Sequence, residues 1–452
     1  MKTDGMVAEA LERASDTKAM RFGAGAVGES GMLFKELFPG SRAVVIADCN
    51  TWKAAGERVC ESLEQAGVLQ NAPYILEDED LYAEWSYLER VEQFLASDDA
   101  VAVAVGSGVI NDLTKLASHH LGRRYIIVGT AASMDGYTAF GASITKDGNK
   151  QTFSCRAPYG VVFDPEIAAA APKELAASGY ADLIAKVPAA ADWMIADALG
   201  EEPIDGFAYS LLHNDLMDAL SCPAQVLAGD VDATGKLAKG LIMSGFAMQA
   251  IQSSRPASGT EHQFSHCWDM EGLSYPSGKH VSHGFKVGIG TLVSTLELEF
   301  LLSKDIASVD ADAVAARWKT WPEIEAEIRT VCAGKPGHLA RCLEETKAKY
   351  IDADRLRDQV LRLKSCWGDL SEKILRTIIP ADQVYANLKA VGAPYEPEMI
   401  CVSRKHLKET FSFIPFMRSR FTNIDLLYRL GLLDEFTESI FGKGGRWEVD
   451  NS

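Results

Sequence analysis

Apolar positions in the first 165 residues fall into short runs separated by amphipathic stretches, and this alternation predicts the elements. The runs are AVVIAD (43–48), a short one at 73–75, VAVAV (101–105), 125–128 and 161–164. Apolar runs of this length, bounded by turn residues, read as strands buried on both faces. A weaker strand, KAMRF (18–22), is interrupted by Lys18 and Arg21. Helical periodicity fills the gaps at 52–66, 81–95 and from 109 onward. ASITKDGNKQTFS (142–154) alternates about Asp147-Gly148 and reads as a β-hairpin. Strands alternating with helices argue for a mostly parallel α/β layer. Residues 1–20 read as an amphipathic helix or a frayed end.

From Glu166 the pattern changes to long helical periodicities, beginning with an alanine-rich stretch punctuated by Pro172, Gly179 and Pro188. Further helices are expected over 207–254 and 291–303. Residues 304–380 read as a charged helical region without internal repeats, and the chain is helical again from Pro380. A length of 452 residues with 47% hydrophobic content supports two domains. The change in pattern divides them into 1–168 and 169–452.

Charge and cysteine usage narrow the function classes. A formal net charge of −18 opposes electrostatic attachment to nucleic acid or anionic membranes. No apolar run reaches membrane-spanning length, and residues 1–16 lack a signal-peptide core. Nine cysteines without a CxxC pair argue against a disulfide framework and for a cytoplasmic setting.

Candidate chemistry concentrates between Ala257 and Gly290. His262, His266, His280 and His283 gather there with Glu261, and His262 and His266 are spaced to share one helix face. Such a group suggests a divalent metal held by neutral imidazoles and at least one carboxylate. The alternative is a set of capped or surface histidines, and the residues alone leave the ligands open.

Upstream, VAVAV runs into Gly106-Ser107-Gly108 and a helix, the form of an anion-binding turn. Asn111 occupies the third glycine position of the dinucleotide pattern, and Asp112 is read as capping or orienting the loop. A literal GxGxxG at Gly23–Gly28 precedes Asp48 by the fingerprint spacing. Its leading strand is poor, so a glycine-eased strand-to-helix turn is the preferred reading. Thr130 and Ser133 suit hydrogen bonding to a cofactor or simple capping, and Asp135 stands where a substrate hydroxyl would reach it. Asp182 and Lys186 are spaced as an ordinary surface ion pair. The arginines of MRSRFT (417–422) suit a phosphate or a structural ion pair.

Five stretches in order, GSGVINDLTK (106–115), TAASMDGYT (130–138), SGYADLIAK (178–186), RPASGTEHQFSH (255–266) and SHGFKVGIG (282–290), resemble glycerol-1-phosphate dehydrogenases of bacterial type. These are relatives of glycerol dehydrogenase, iron-type alcohol dehydrogenases and dehydroquinate synthase. The similarity covers about residues 20–300, with a weaker echo at 390–440. It implies an α/β dinucleotide-binding domain followed by an all-helical metal- and substrate-binding domain. It further implies metal ligation by Asp182, His262 and His283, with zinc or nickel as the expected metal and iron left open. His266 and Asp135 are implied as catalytic and substrate-facing residues, with Asp182 also at the substrate. Gly106, Ser107, Gly108, Val109 and Ile110 would wrap the cofactor pyrophosphate. Thr130, Ala131, Ala132 and Ser133 would line the nicotinamide side. Asp48 would approach the adenosine ribose, favouring NAD and leaving NADP open. The implied substrates are dihydroxyacetone phosphate and sn-glycerol 1-phosphate, and the implied assembly is a homodimer. Ala139 departs from the family, which tends to carry a hydroxyl there. Three alternatives remain open: a glycerol or other polyol dehydrogenase, a dehydroquinate-synthase-like lyase, and a metal-bound nucleotide sensor.

Overall fold

The computed structural model describes residues 5–78, 81–334 and 336–449. Six parallel strands form one sheet: β1 (Ala19–Phe22), β2 (Ala43–Asp48), β3 (Tyr74–Leu76), β4 (Val101–Gly106), β5 (Ile126–Gly129) and, after a hairpin, β8 (Gly160–Phe163). Their order across the sheet is β1-β8-β5-β4-β2-β3. The hairpin is β6 (Ala142–Lys146) with β7 (Asn149–Phe153), paired antiparallel. It turns through Asp147 and Gly148, whose φ values of 52° and 74° are the left-handed conformation of a tight two-residue turn.

Alternate residues of the strands, among them Val45, Ala47, Val103, Val105, Ile126, Val128 and Val162, lie in one core cluster. That cluster is closed by Leu33 and Phe34 of α1 (Ser30–Leu37) and by Val59 and Leu63 of α2 (Glu57–Gln65). The intervening strand residues Val44, Ile46, Ala102, Ala104 and Ile127 are equally buried. Both faces are covered, which is why these strands read as continuous apolar runs rather than alternating ones. Helix α3 begins at Trp85 and runs to Ala96, four residues later than the periodicity suggested. Helix α4 (Gly108–His120) follows β4 directly.

The strand order reverses between β2 and β4: one neighbouring connection leads outward to β3, the other back to β5. Ligand crevices in open parallel sheets open at the carboxyl ends of strands at such a reversal. Asp48 ends β2 and Gly106 ends β4, so both stand at this point. Gly23–Gly28 follows β1 at the sheet's far edge and forms a short 3-10 turn. It is separated from Asp48 by the full run of β8, β5 and β4, as expected of a structural turn.

Every regular element after β8 is helical among the described residues. An N-terminal parallel α/β domain is therefore followed by an all-helical one. The helices needed below are α5 (Lys173–Ile184), α6 (Lys186–Leu199), α7 (Val231–Ile251), α8 (Thr260–Met270), α9 (His283–Leu302), α10 (Pro336–Lys349), α11 (Ala353–Thr377) and α12 (Asn423–Leu430). Backbone proximity groups Met1–Leu183, Asp205–Ala257 and Ala390–Ala393 into one unit. Ile184–Ile204, Ser258–Lys389 and Pro394–Ser452 form the other. The boundary at residue 168 marks the change of element type, whereas grouping by proximity draws α7 to the sheet.

Within the helical unit, buried Asp192 of α6 organises two helix starts. Its Oδ2 accepts the Thr260 N–H at 2.7 Å and its Oδ1 accepts the Asn423 N–H at 2.5 Å. One carboxylate thus caps both α8 and α12, satisfying N–H groups that a helix start leaves unpaired. This fixes the entry of the helix that carries His262 and His266. No helix among the described residues is long and apolar enough to cross a membrane.

Candidate metal and cofactor site

Asp182, His262 and His283 each offer one ligand atom, and these atoms all lie within 4.8 Å of one another. Two neutral imidazoles and a carboxylate suit a borderline divalent cation with open positions for a further oxygen. Their surroundings fit such an ion. His262 Nδ1 pairs with Glu261 Oε1 at 2.7 Å. With the carboxylate accepting, Nδ1 carries the proton and Nε2 is left as the electron-pair donor. His283 Nδ1 lies 3.3 Å from Ser265 Oγ, a hydroxyl able either to donate to that nitrogen or to accept from it. The ring centroids of His262 and His283 are 5.3 Å apart.

Asp182 is fully buried on α5, and the helix sits there because of a glycine one turn earlier. A Cβ at Gly179 would stand 2.0 Å from the carbonyl oxygen of Ala132, so only glycine lets α5 approach the 130–135 loop so closely. The loop replies through Asp135, whose N–H donates to Asp182 Oδ2 at 3.2 Å. Asp135 Oδ2 in turn accepts the Ser244 hydroxyl of α7 at 2.9 Å.

The expected Asp182–Lys186 surface pair requires correction: both side chains are fully buried. The helix bearing Asp182 ends at Ile184 and Lys186 opens the next, so they do not share one continuous helix. Glu261, the carboxylate next to the histidines in sequence, is a hydrogen-bond partner of His262 and lies outside the three-residue ligand group. His266 has ring centroids 6.4 Å from His262 and 6.5 Å from His283. His280 is exposed and forms a bridge to Ser274 in the segment before α9.

At the end of β4, Gly106 must be glycine, because a Cβ there would meet Ile110 Cβ at 2.6 Å. The turn then opens α4, whose first N–H groups have no carbonyl a turn earlier and favour an anion. Ser107 Oγ and Ser133 Oγ are 2.7 Å apart, and the Thr130 N–H donates to Gly106 O at 3.1 Å. Gly106–Ile110 and Thr130–Ser133 are therefore joined side by side. Val109 is half-buried and Ile110, Ala131 and Ala132 are buried beneath. Asp48 caps the helix after β2, its Oδ1 accepting the N–H groups of Asn50 (2.8 Å) and Thr51 (2.9 Å).

Lys115 was not singled out by pattern, yet it braces this loop. Its buried Nζ donates to the carbonyls of Gly136 (2.9 Å), Ala139 (3.1 Å) and Gly141 (3.0 Å). The Ala139 carbonyl is thereby engaged by the protein itself. Asp112, 3.7 Å from Lys115, accepts the Ser143 N–H at 3.0 Å. Burial raises its pKa, with Lys115 opposing the rise. A lysine at helical spacing gives no sequence signal of burial; only the triplet of carbonyls reveals its role.

This architecture is that of the two-domain iron-type alcohol dehydrogenases. A family model described as iron-containing alcohol dehydrogenase matches residues 21–172. Glycerol dehydrogenase from Schizosaccharomyces pombe superposes with a TM-score of 0.59 over 97% of this chain and 95% of its own, at 16% identity. In sequence, glycerol-1-phosphate dehydrogenase (NAD(P)+) from Methanosarcina barkeri is 34% identical over 60% of this chain and 74% of its own length. The enzyme of the same name from Geobacillus thermodenitrificans is also 34% identical, over 55% of this chain and 62% of its own. The chain belongs to the glycerol-1-phosphate dehydrogenase family within the iron-containing alcohol dehydrogenases. Its match spans only 62% and 63% of the length of the Geobacillus thermodenitrificans and Halalkalibacterium halodurans relatives.

Proposed function

We propose that this protein is an NAD(P)-dependent, metal-dependent oxidoreductase interconverting dihydroxyacetone phosphate and sn-glycerol 1-phosphate. The observation that carries the proposal is the convergence of Asp182, His262 and His283 in a chain of this family. When bound, a divalent ion on these three side chains supplies Lewis acidity at the substrate oxygen, and the nicotinamide cofactor gives or takes hydride.

The chain's own groups then have distinct tasks. Glu261 and Ser265 orient the two imidazoles, and the Asp135 N–H steadies Asp182. Asp135, held by Ser244, accepts hydrogen bonds from substrate hydroxyls. His266, one turn beyond His262, passes the proton to or from the substrate oxygen at its ring nitrogen. Gly106 to Ile110 receive the pyrophosphate at the start of α4. Thr130 to Ser133 face the nicotinamide half. Asp48 meets the adenosine ribose, where a carboxylate disfavours a 2′-phosphate and so favours NAD. The two imidazoles and one carboxylate fit zinc or nickel, with iron as a third candidate. Nine cysteines, none of them in a disulfide among the described residues, fit a reducing, cytoplasmic setting.

Replacing a ligand tests the assignment. Asp182→Ala and His262→Ala are expected to abolish turnover and strip bound metal while NAD affinity, measured by fluorescence titration, stays within about threefold. Full activity in either variant would contradict it.

A further inference from the structure

Met134 stands between the two parts of the candidate site. Its predecessor Ser133 is joined to the proposed pyrophosphate turn, with Ser133 Oγ 2.7 Å from Ser107 Oγ. Its successor Asp135 is joined to the candidate metal group, the Asp135 N–H donating to Asp182 Oδ2 at 3.2 Å. The nicotinamide end of a cofactor on the turn and a substrate at Asp182 would therefore meet beside residue 134.

The methionine side chain is held from two directions. A Cβ added to Gly108, the first residue of α4, would lie 3.4 Å from Met134 Cε and 3.5 Å from its Cγ. The thioether thus lies along the start of that helix, in van der Waals reach. At its other edge the Gly136 N–H donates to Met134 Sδ at 2.9 Å, and a thioether sulfur is a weak acceptor. The Gly136 carbonyl accepts from Lys115 Nζ at 2.9 Å, so α4 also fixes the residue that donates to the sulfur. A Cβ at position 136 would crowd Sδ at 2.8 Å and displace the side chain.

A methionine that only filled the core would be buried. Thr130, Ala131, Ala132 and Ser133 are buried, as is Tyr137, whereas Met134 and Asp135 are only half-buried. The loop therefore comes to the surface at Met134, beside the carboxylate proposed to meet the substrate. An accessible thioether presents soft, polarizable surface, and sulfur makes favourable contacts with flat rings. Nicotinamide is such a ring, whereas pyrophosphate calls for N–H groups such as those at the start of α4.

We infer that Met134 is a cofactor-positioning residue: the nicotinamide ring rests against its thioether, at the boundary between the α4 turn and Asp135. The inference rests on the proposed placement of the cofactor along Gly106 to Ile110. It gives a task to a side chain that lies between the residues proposed for the cofactor and those proposed for the substrate.

The test compares NADH with ADP-ribose, which keeps the pyrophosphate and lacks the nicotinamide. Both are titrated into the wild-type protein, Met134→Ala and Met134→Gln, NADH by its fluorescence and ADP-ribose by calorimetry. Met134→Ala is expected to weaken NADH binding about five- to tenfold and ADP-ribose binding by less than about twofold. Met134→Gln, close to methionine in length but polar, is expected to show the same selective loss, and it carries the test if the alanine variant does not fold. Equal weakening of both ligands would make Met134 a mere support of the turn, and unchanged NADH affinity would deny the contact; either result overturns the inference. If the wild type binds no NADH, the placement of the cofactor falls and the inference with it. If the affinities order as expected but dihydroxyacetone phosphate is not turned over, the inference stands and the proposed reaction falls.

Discussion

Glu261 Oε1 accepts a hydrogen bond from His262 Nδ1 across 2.7 Å, although the two residues are consecutive in the first turn of α8. The same oxygen accepts the Gly259 N–H at 2.6 Å. A fully buried carboxylate thus fixes both the helix start and the ring orientation of His262, a proposed ligand. Partners of this kind tune metal affinity by roughly 10- to 100-fold. Glu261→Ala should therefore weaken metal binding by about that factor, read by competition with a chromogenic chelator. Unchanged affinity would mean that the hydrogen bond serves only the helix cap.

Asp48 offers a test of the cofactor assignment that spares the local fold. Its Oδ1 caps the helix after β2, and asparagine preserves an oxygen able to do the same. Asp48→Asn removes only the charge. We expect the ratio of kcat/KM for NADP to that for NAD to rise about tenfold or more. An unaltered ratio, with the protein equally stable, would separate Asp48 from the ribose.

Much of the sheet was legible because its strands are buried on both faces and its turns use residues with distinct backbone chemistry. VAVAV followed by Gly-Ser-Gly could hardly be read otherwise, and Asp147-Gly148 turns the hairpin where its conformation demands. Element edges were less sharp. Helix α3 starts at Trp85, and no capping hydrogen bond from the Glu84 side chain marks that boundary. The candidate metal ligands were only half legible. His262 and His283 stood out as part of a cluster, but Asp182 lies eighty residues upstream, and only the family resemblance joined it to them. Adjacency alone left the role of Glu261 open, and the structure pairs this carboxylate with the imidazole of His262. Lys115 and Lys186, fully buried, carry no pattern that distinguishes them from surface lysines.

Glu297 of α9 makes a prediction about pH. It is fully buried, and neither side-chain oxygen has a hydrogen-bond partner among the described residues. Burial, followed by the charges of Asp192, Glu261 and Asp425, raises its pKa well above the ordinary value of 4.5. The folded state therefore keeps a proton that the unfolded chain releases, so this group's contribution to stability is full below the ordinary value and is lost as pH rises toward the raised one. Glu297→Gln mimics the protonated form at every pH. Its Tm relative to wild type should climb from about pH 5 to about pH 8. A difference that is constant, or that shrinks, would contradict a protonated Glu297.

The most direct test of the central claim is NADH oxidation by chelator-stripped protein supplied with dihydroxyacetone phosphate, before and after zinc or nickel is restored. The account predicts no turnover in the stripped protein, recovery with metal, and a strong preference for the phosphorylated ketone over dihydroxyacetone. Activity that is indifferent to the chelator, or recovery only with the unphosphorylated ketone, would contradict it.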